Sequence, residues 1–454
     1  MILTVKNAAK ALAVAIPASV MIVGAGVAIA SPAGAARHVS QLTVRQVVFG
    51  MKLHHKYIPS GGTTPKTEPL TGPDDLTSIG TNVFTAFQNG VGAQGEPSTD
   101  GNTDSTVVEF GLGGNEIHQW DLHGKCDGLT ADPQTGVVIA TVNEDGNSSL
   151  YTIAPSASSA TAIQHYSYNK PLPHFGGTDA ISVDNGQILV SASAPGTTGG
   201  MPPPQPTYPA VYRVSLNATT HVATVSPLFF DEATATVANT GPMHGKKVKL
   251  GLTDPDSNAV VPSFAPRFAG MFELTSQADK EQIFAKLPST STSPKLQVLK
   301  LSQSVDDTAW PFGAPEILFA TDSTADTVDT VTGGFTQNSV FTAVTPCDAA
   351  NAPSTCPAPG FPPNYLGTIN PLTGHVAKAA LTGPTLEPKG LLFVAQPPVC
   401  SGHDRSRVFA RDRDRHPGGR RGQPGADVRR PLAQSGVDRG EHEQRDLPGG
   451  SRLV

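Results

Sequence analysis

The chain has 454 residues, a formal charge of −6 and only 15% charged residues. That length suits one large all-β domain or two to three smaller ones. No basic stripe interleaved with aromatics is available to hold phosphates, which excludes nucleic acid as an expected partner, and 41 prolines and 46 glycines argue against long helices.

At the N-terminus, Lys6 and Lys10 precede an Ala-rich apolar stretch that ends in Ala28-Ile29-Ala30, an A-x-A cleavage pattern. Residues 1–30 are therefore expected to be a secretory signal, with cleavage as late as Ala35 as the alternative. The competing reading is an uncleaved anchor, because the run approaches the roughly 20 residues that span a bilayer. Small residues and the following A-G-A favour cleavage. A secreted or cell-envelope protein with no membrane span after cleavage is the expectation. Residues 36–73 then offer two strands, "QLTVRQVVF" and "GMKLHHKYI", either of which could close a ring of sheets.

From Asp74 onward one phrase recurs: "DDLTSIGTNVFTAFQN", "DGLTADPQTGVVIATVNE" from Asp127, "DAISVDNGQILVSASA" from Asp179 and "DDTAWPFGAPEILFATDS" from Asp306. Each copy has an acid, a short apolar step, a turn bearing Gly or Asn, and an apolar strand ending in small residues. Weaker copies begin at Asp256 and Glu387. Further strands follow each phrase, such as "STVVEFGL", "SLYTIAP", "AVYRVSL" and "LQVLKL". Four short antiparallel strands per unit make one blade of a β-propeller, so residues 74–396 are expected to form six blades, with seven as the alternative. The innermost strand of each blade is taken to follow the acid, so that Asp75, Asp127, Asp179, Asp256, Asp306 and Glu387 converge as a ring on the channel mouth. The local alternative is that each acid merely accepts backbone N–H bonds from its own turn.

The blade phrase resembles those of secreted bacterial β-propellers of the YVTN and NHL type and, more distantly, the gluconolactonase and regucalcin group. The resemblance covers roughly Asp74 to Gln396 and lies in blade grammar, which unrelated functions share. That group holds a divalent cation at the channel mouth with a Glu, an Asn and an Asp, so the resemblance implies a site for Ca2+, a hard cation suited to carboxylates, at Asp127, Asp179, Asp306 and Glu387. Asn143 in "ATVNEDG" is the stand-in for the Asn, since that group's own Asn motif is absent.

Other motifs weigh less. "DPDSNAVV" from Asp254 lacks Gly at the sixth and an acid at the twelfth position of an EF-hand, where Ala265 stands, and reads as a turn. "GLGGNE" at Gly111 reads as a hairpin turn, and Glu144 stands where it could reach the channel. His123 and His174 precede the acids of two blades and are candidates for a mixed site, with exposed loop histidines as the bland alternative. Trp310 follows Asp306 and Asp307 closely enough to floor a pocket, although packing suffices to explain it. Cys347 and Cys356 flank one short loop and are the expected disulfide; Cys126 reads as a small buried residue. No G-x-S-x-G, H-E-x-x-H or P-loop occurs.

After "GLLFVAQPPV" lysine vanishes and arginine crowds in, so residues 397–454 read as a disordered Arg-rich tail. Such a tail would arise from a GC-rich gene read in the wrong frame, a hypothesis that sequencing around the Cys400 codon decides. A chain truncated in this way and left without stable function is the third reading. Ahead of it stand a monomeric binding or scaffold propeller, for a protein, peptide, glycan or small molecule, and a calcium-dependent hydrolase or lactonase.

Overall fold

The structure is a computed structural model that describes residues 41–397 apart from 173–176, 196–207, 288–292, 314, 338 and 348–362. The expected signal sequence, the Arg-rich tail, His174 and Cys356 lie outside the described residues. Within them the chain is nearly all β: short antiparallel strands joined by tight turns, with one four-residue helix, Ser159–Ala162, and one 3-10 turn. No helix among the described residues is long and apolar enough to cross a membrane.

The frame is set by six strands: β1 Pro73–Ile79, β2 Cys126–Asp132, β3 Ile181–Asp184, β4 Pro255–Val260, β5 Val305–Ala309 and β6 Leu391–Ala395. Each begins a sheet that runs outward through successive antiparallel partners. β1, for instance, is followed by Asn82–Phe87, Asp104–Phe110 and Glu116–His123. Along the chain β1 adjoins β2, β2 adjoins β3, and so on to β6, which adjoins β1 again. The sheets of β2 and β3 are joined at their outer edges by a short parallel pairing, Ser167 with Val222 and Tyr168 with Ala223.

A sheet stacked on neighbours at both faces must be apolar on both faces, and it is. Val107, Trp120 and Leu122 of the β1 sheet pack on Leu129, Val138 and Ala140 of the β2 sheet. An equivalent buried cluster fills each successive interface, and the last, with Phe87, Phe110, Phe319 and Val394, joins the β6 sheet back to the β1 sheet. Side chains of this size contribute roughly 1.5–3 kcal/mol each when fully buried, which is why sheets with few charged residues hold together. This is a propeller-type arrangement.

Two features depart from the sequence expectation. First, the "short apolar step" after each acid is itself the innermost strand, and the longer apolar run is the second strand of the sheet. Secondly, the phrase from Asp306 is split. β5 pairs with Val340–Val344, while Glu316–Asp322 and Thr327–Thr332 form a hairpin in the neighbouring sheet beside β6. The order of that sheet is Leu381–Thr382, Leu42–Phe49, Thr327–Thr332, Glu316–Asp322, β6. "LTVRQVVF" lies in the sheet of "LLFVA" with two strands between them, so the first and last described strands share one sheet.

Candidate functional site: an acidic well at the strand starts

Because β1 to β6 start at the same end of the assembly, residues at corresponding places near their starts come together. Counting back two residues from Leu76, Leu129, Ile181, Asn258, Thr308 and Leu391 gives Asp74, Asp127, Asp179, Asp256, Asp306 and Lys389. All six line one small cavity of about 50 Å³. Eight carboxyls in all face it, from Asp74, Asp75, Asp127, Glu144, Asp179, Asp256, Asp306 and Asp307. The predicted acids Asp127, Asp179 and Asp306 are thus brought together. Glu387 is not: it sits two residues too early, where its carboxylate accepts from the Thr324 hydroxyl at 3.2 Å, and Lys389 takes the sixth place.

The two Asp-Asp pairs divide the labour. Asp75 Oδ1 accepts from Leu76 N–H at 2.7 Å, and its Oδ2 accepts from Leu129 N–H at 2.7 Å, tying β1 to β2. Asp307 does the same for Thr308 at 2.7 Å and Leu391 at 2.6 Å, tying β5 to β6. These second acids thus accept backbone N–H bonds, partly from the following residue and partly from the neighbouring inner strand rather than from a turn of their own. At the same position β2 and β6 carry Gly128 and Gly390, because the next strand passes too close for a side chain. A Cβ on Gly128 would stand 2.5 Å from the Asp179 carbonyl oxygen, and one on Gly390 would stand 2.4 Å from that of Asp74.

The first acids are left facing the well. Gln88 Nε2 bridges Asp74 Oδ2 at 2.7 Å and Asp127 Oδ1 at 2.8 Å. Lys389 Nζ lies 3.0 Å from Asp74 Oδ1, and Lys125 Nζ lies 2.9 Å from Asp127 Oδ1 and also pairs with Glu144. Two cations do not balance eight carboxyls. Burial, followed by the neighbouring charges of Asp256 and Glu144, pushes the Asp179 carboxyl well above its ordinary range. Burial and Asp256 push up Asp306, with Lys389 opposing. Asp127 is raised by burial against the pull of Lys125, and Asp307 is pushed up to about 7 by burial against its two N–H donors. Asp127 Oδ2 is buried and has no hydrogen-bond partner, whereas the Asp256 carboxyl stands within hydrogen-bond reach of that of Asp306.

A hard dication such as Ca2+ wants six to eight oxygens at 2.3–2.6 Å. Among the described residues no three His, Cys, Asp or Glu side chains converge in such a way. The ammonium groups of Lys125 and Lys389 already stand on Asp127 and Asp74, so the residues as arranged do not fit the metal that the resemblance implies.

The remaining candidates lie elsewhere. Asn143 Oδ1 accepts from Lys125 N–H at 2.9 Å, and both Asn143 and His123 face a separate side cavity. His123 is exposed and pairs with Asp104 at 3.1 Å. Glu144 does reach the well. "DPDSNAVV" contributes β4, and "GLGGNE" is a hairpin turn closed by Gly111 and Asn115. Trp310 is buried and donates from Nε1 to Glu273 Oε2 at 2.7 Å. Cys126 is a buried free thiol pushed up first by burial and then by Asp127, and Cys347 is in a disulfide.

No known family profile matches the sequence, and no curated protein does. Similar solved structures include a periplasmic gluconolactonase of Pseudomonas aeruginosa (12% identity, 79% of this chain and 99% of that one, TM-score 0.41). Others are a putative 6-phosphogluconolactonase of Bacteroides uniformis (9%, 78% and 100%, TM-score 0.37) and the β-propeller domain of Myceliophteria thermophila Cps50 (11%, 72% and 79%, TM-score 0.35). At these scores the reading of the site rests on the geometry of this chain alone.

Proposed function

We propose that this is a secreted binding protein, a propeller of six blades closed between its first and last strands, whose acidic well holds a positively charged group of its ligand. The observation that carries this reading is the excess of carboxyls in one buried cavity, with Asp127 Oδ2 left without a partner and the Asp256 and Asp306 carboxyls set against each other. A buried acceptor without a donor costs about 1–3 kcal/mol, and an incoming cation would remove that cost and restore the ionised state of its neighbours. A cavity of about 50 Å³ has room for an ammonium or guanidinium head and none for a sugar ring. The ligand would therefore be larger than the well and would insert one cationic arm, as a lysine-bearing peptide or a polyamine does.

The calcium-dependent hydrolase is the second reading, favoured by the number of oxygens in the well. It requires Lys125 and Lys389 to give way to the ion. One melting experiment separates the two. A ligand at a hundred times its dissociation constant adds about 2.7 kcal/mol to the folded state, so spermidine should raise the melting temperature and calcium chloride at equal ionic strength should not. A rise with calcium alone would favour the hydrolase, and no rise with either would end both readings.

A further inference from the structure

Farther along the same six strands the channel changes character. Beyond Asp75 and Asp307 it opens into a second cavity of about 240 Å³, walled by Leu129, Ile181, Val260, Trp310 and Phe393. At its rim Phe312 packs against Phe264 with ring centroids 5.9 Å apart, and both rings stay partly exposed. The walls are thus those of an apolar small-molecule pocket.

Seven of its twenty lining residues are polar, Asp75, Thr77, Thr130, Ser182, Asn258, Asp307 and Thr308, and two of them carry unsatisfied groups. Asn258 donates from Nδ2 to the Ala180 carbonyl at 2.7 Å, which fixes the orientation of its amide. Its Oδ1 is then left buried with no donor, and so is the hydroxyl of Ser182 on the neighbouring strand. Both residues line this cavity. The nearby carboxylates cannot supply the missing donors, because Asp75 and Asp307 already accept from backbone N–H groups on both oxygens. A pocket that offers apolar walls and a waiting acceptor selects for a matching ligand, since a molecule without a donor leaves the acceptor buried and unpaired.

We infer that the apolar end of the channel is a binding site for a small ring compound carrying one hydrogen-bond donor, held by Asn258 Oδ1 and Ser182 Oγ between apolar walls. The site adjoins the acidic well, sharing Asp75, Asn258 and Asp307 with it as lining, and does not require a charged ligand. Trp310 on its wall supplies a direct readout, because the only other tryptophan, Trp120, belongs to the packing between the β1 and β2 sheets.

The test is a titration of the full-length protein with 4-ethylphenol and with 4-ethyltoluene, which puts a methyl where the hydroxyl was, followed by tryptophan fluorescence and calorimetry. The parent should bind the phenol roughly tenfold more tightly or better. Ala259→Phe, which fills the cavity from its wall, should abolish binding of both. Asn258→Leu and Ser182→Ala should each shrink the ratio between the two probes, a quantity that a general loosening of the fold leaves unchanged. Equal affinity for the two probes, no binding by the parent at millimolar concentration, or binding that survives Ala259→Phe would overturn the inference.

Discussion

Replacing Lys389 with Met removes the one cation that the inner-strand positions contribute to the well. Its ammonium lies 3.0 Å from Asp74 Oδ1, a Coulomb attraction of about 5 kcal/mol at an effective dielectric constant near 20. The Lys389 side chain is 40% exposed, so solvent screening reduces the loss to roughly 2 kcal/mol, even though Asp74 is left facing Asp306 and Asp256. The charges of Asp74, opposed by burial and joined by Asp306, hold the Lys389 amine well above its ordinary range. Raised in the fold, it contributes fully at every pH below its unfolded value near 10.5 and is lost only above that. The penalty should therefore appear undiminished at pH 8, as a fall in melting temperature of about 4 °C, and Lys389→Arg should recover most of it. The assay is thermal unfolding followed by circular dichroism at fixed ionic strength. Parent and Lys389→Met melting within 1 °C of each other, an interval of about half a kcal/mol, would show that the lysine does not balance the acids.

Three further predictions follow from the same geometry. Asp307 is pushed up to about 7 and Glu273 to about 8, both chiefly by burial; acids raised in the fold stabilise it most at low pH and lose that advantage as pH rises through the raised value. Ionising Asp307 costs about 4 kcal/mol more in the fold than in the unfolded chain, so denaturant titrations should show stability falling from pH 5 to pH 9, and a rise would refute the assignment. His55, fully buried between Glu68 at 3.0 Å and Asp121 at 3.2 Å, is lowered by burial but raised overall by those two carboxylates. Its stabilisation holds below its unfolded pKa and fades above the folded one, so His55→Gln should cost about 1–3 kcal/mol at pH 5.5 and less at pH 8.5. Gly128→Ala should destabilise by roughly 3 kcal/mol, since its Cβ would stand 2.5 Å from the Asp179 carbonyl oxygen just before β3; a variant as stable as the parent in urea would mean that β2 and β3 are farther apart than described.

Much of this was legible before any coordinates. Period-two strands, turn residues and the recurring acid pointed to stacked β sheets, and they also marked Asp127, Asp179 and Asp306 as neighbours. The misplacement of Glu387 came from aligning the copies on the nearest acid: Lys389 stands two residues before Leu391 as Asp74 does before Leu76 and Asp127 before Leu129, and a shift of register changes which side chains share a face. The split of the Asp306 phrase was not readable. Glu316–Asp322 is apolar on both faces and fits either sheet, and which partner it takes depends on the whole assembly rather than on its own residues. The separate roles of Asp74 and Asp75 were hidden for a related reason, since both are acids at a strand start and only the position of Leu129 N–H makes Asp75 a tie between strands.

The central claim is that the well takes up a positive charge, and the most direct measurement is calorimetric titration of spermidine in two buffers of different ionisation enthalpy. Burial raises the carboxyls of Asp127, Asp179 and Asp306, and a cation settling among them lowers them again and so favours proton release. The account predicts saturable binding with net proton release, lost in Asp127→Asn combined with Asp256→Asn. Binding without proton release, or unchanged binding in the double variant, would contradict it.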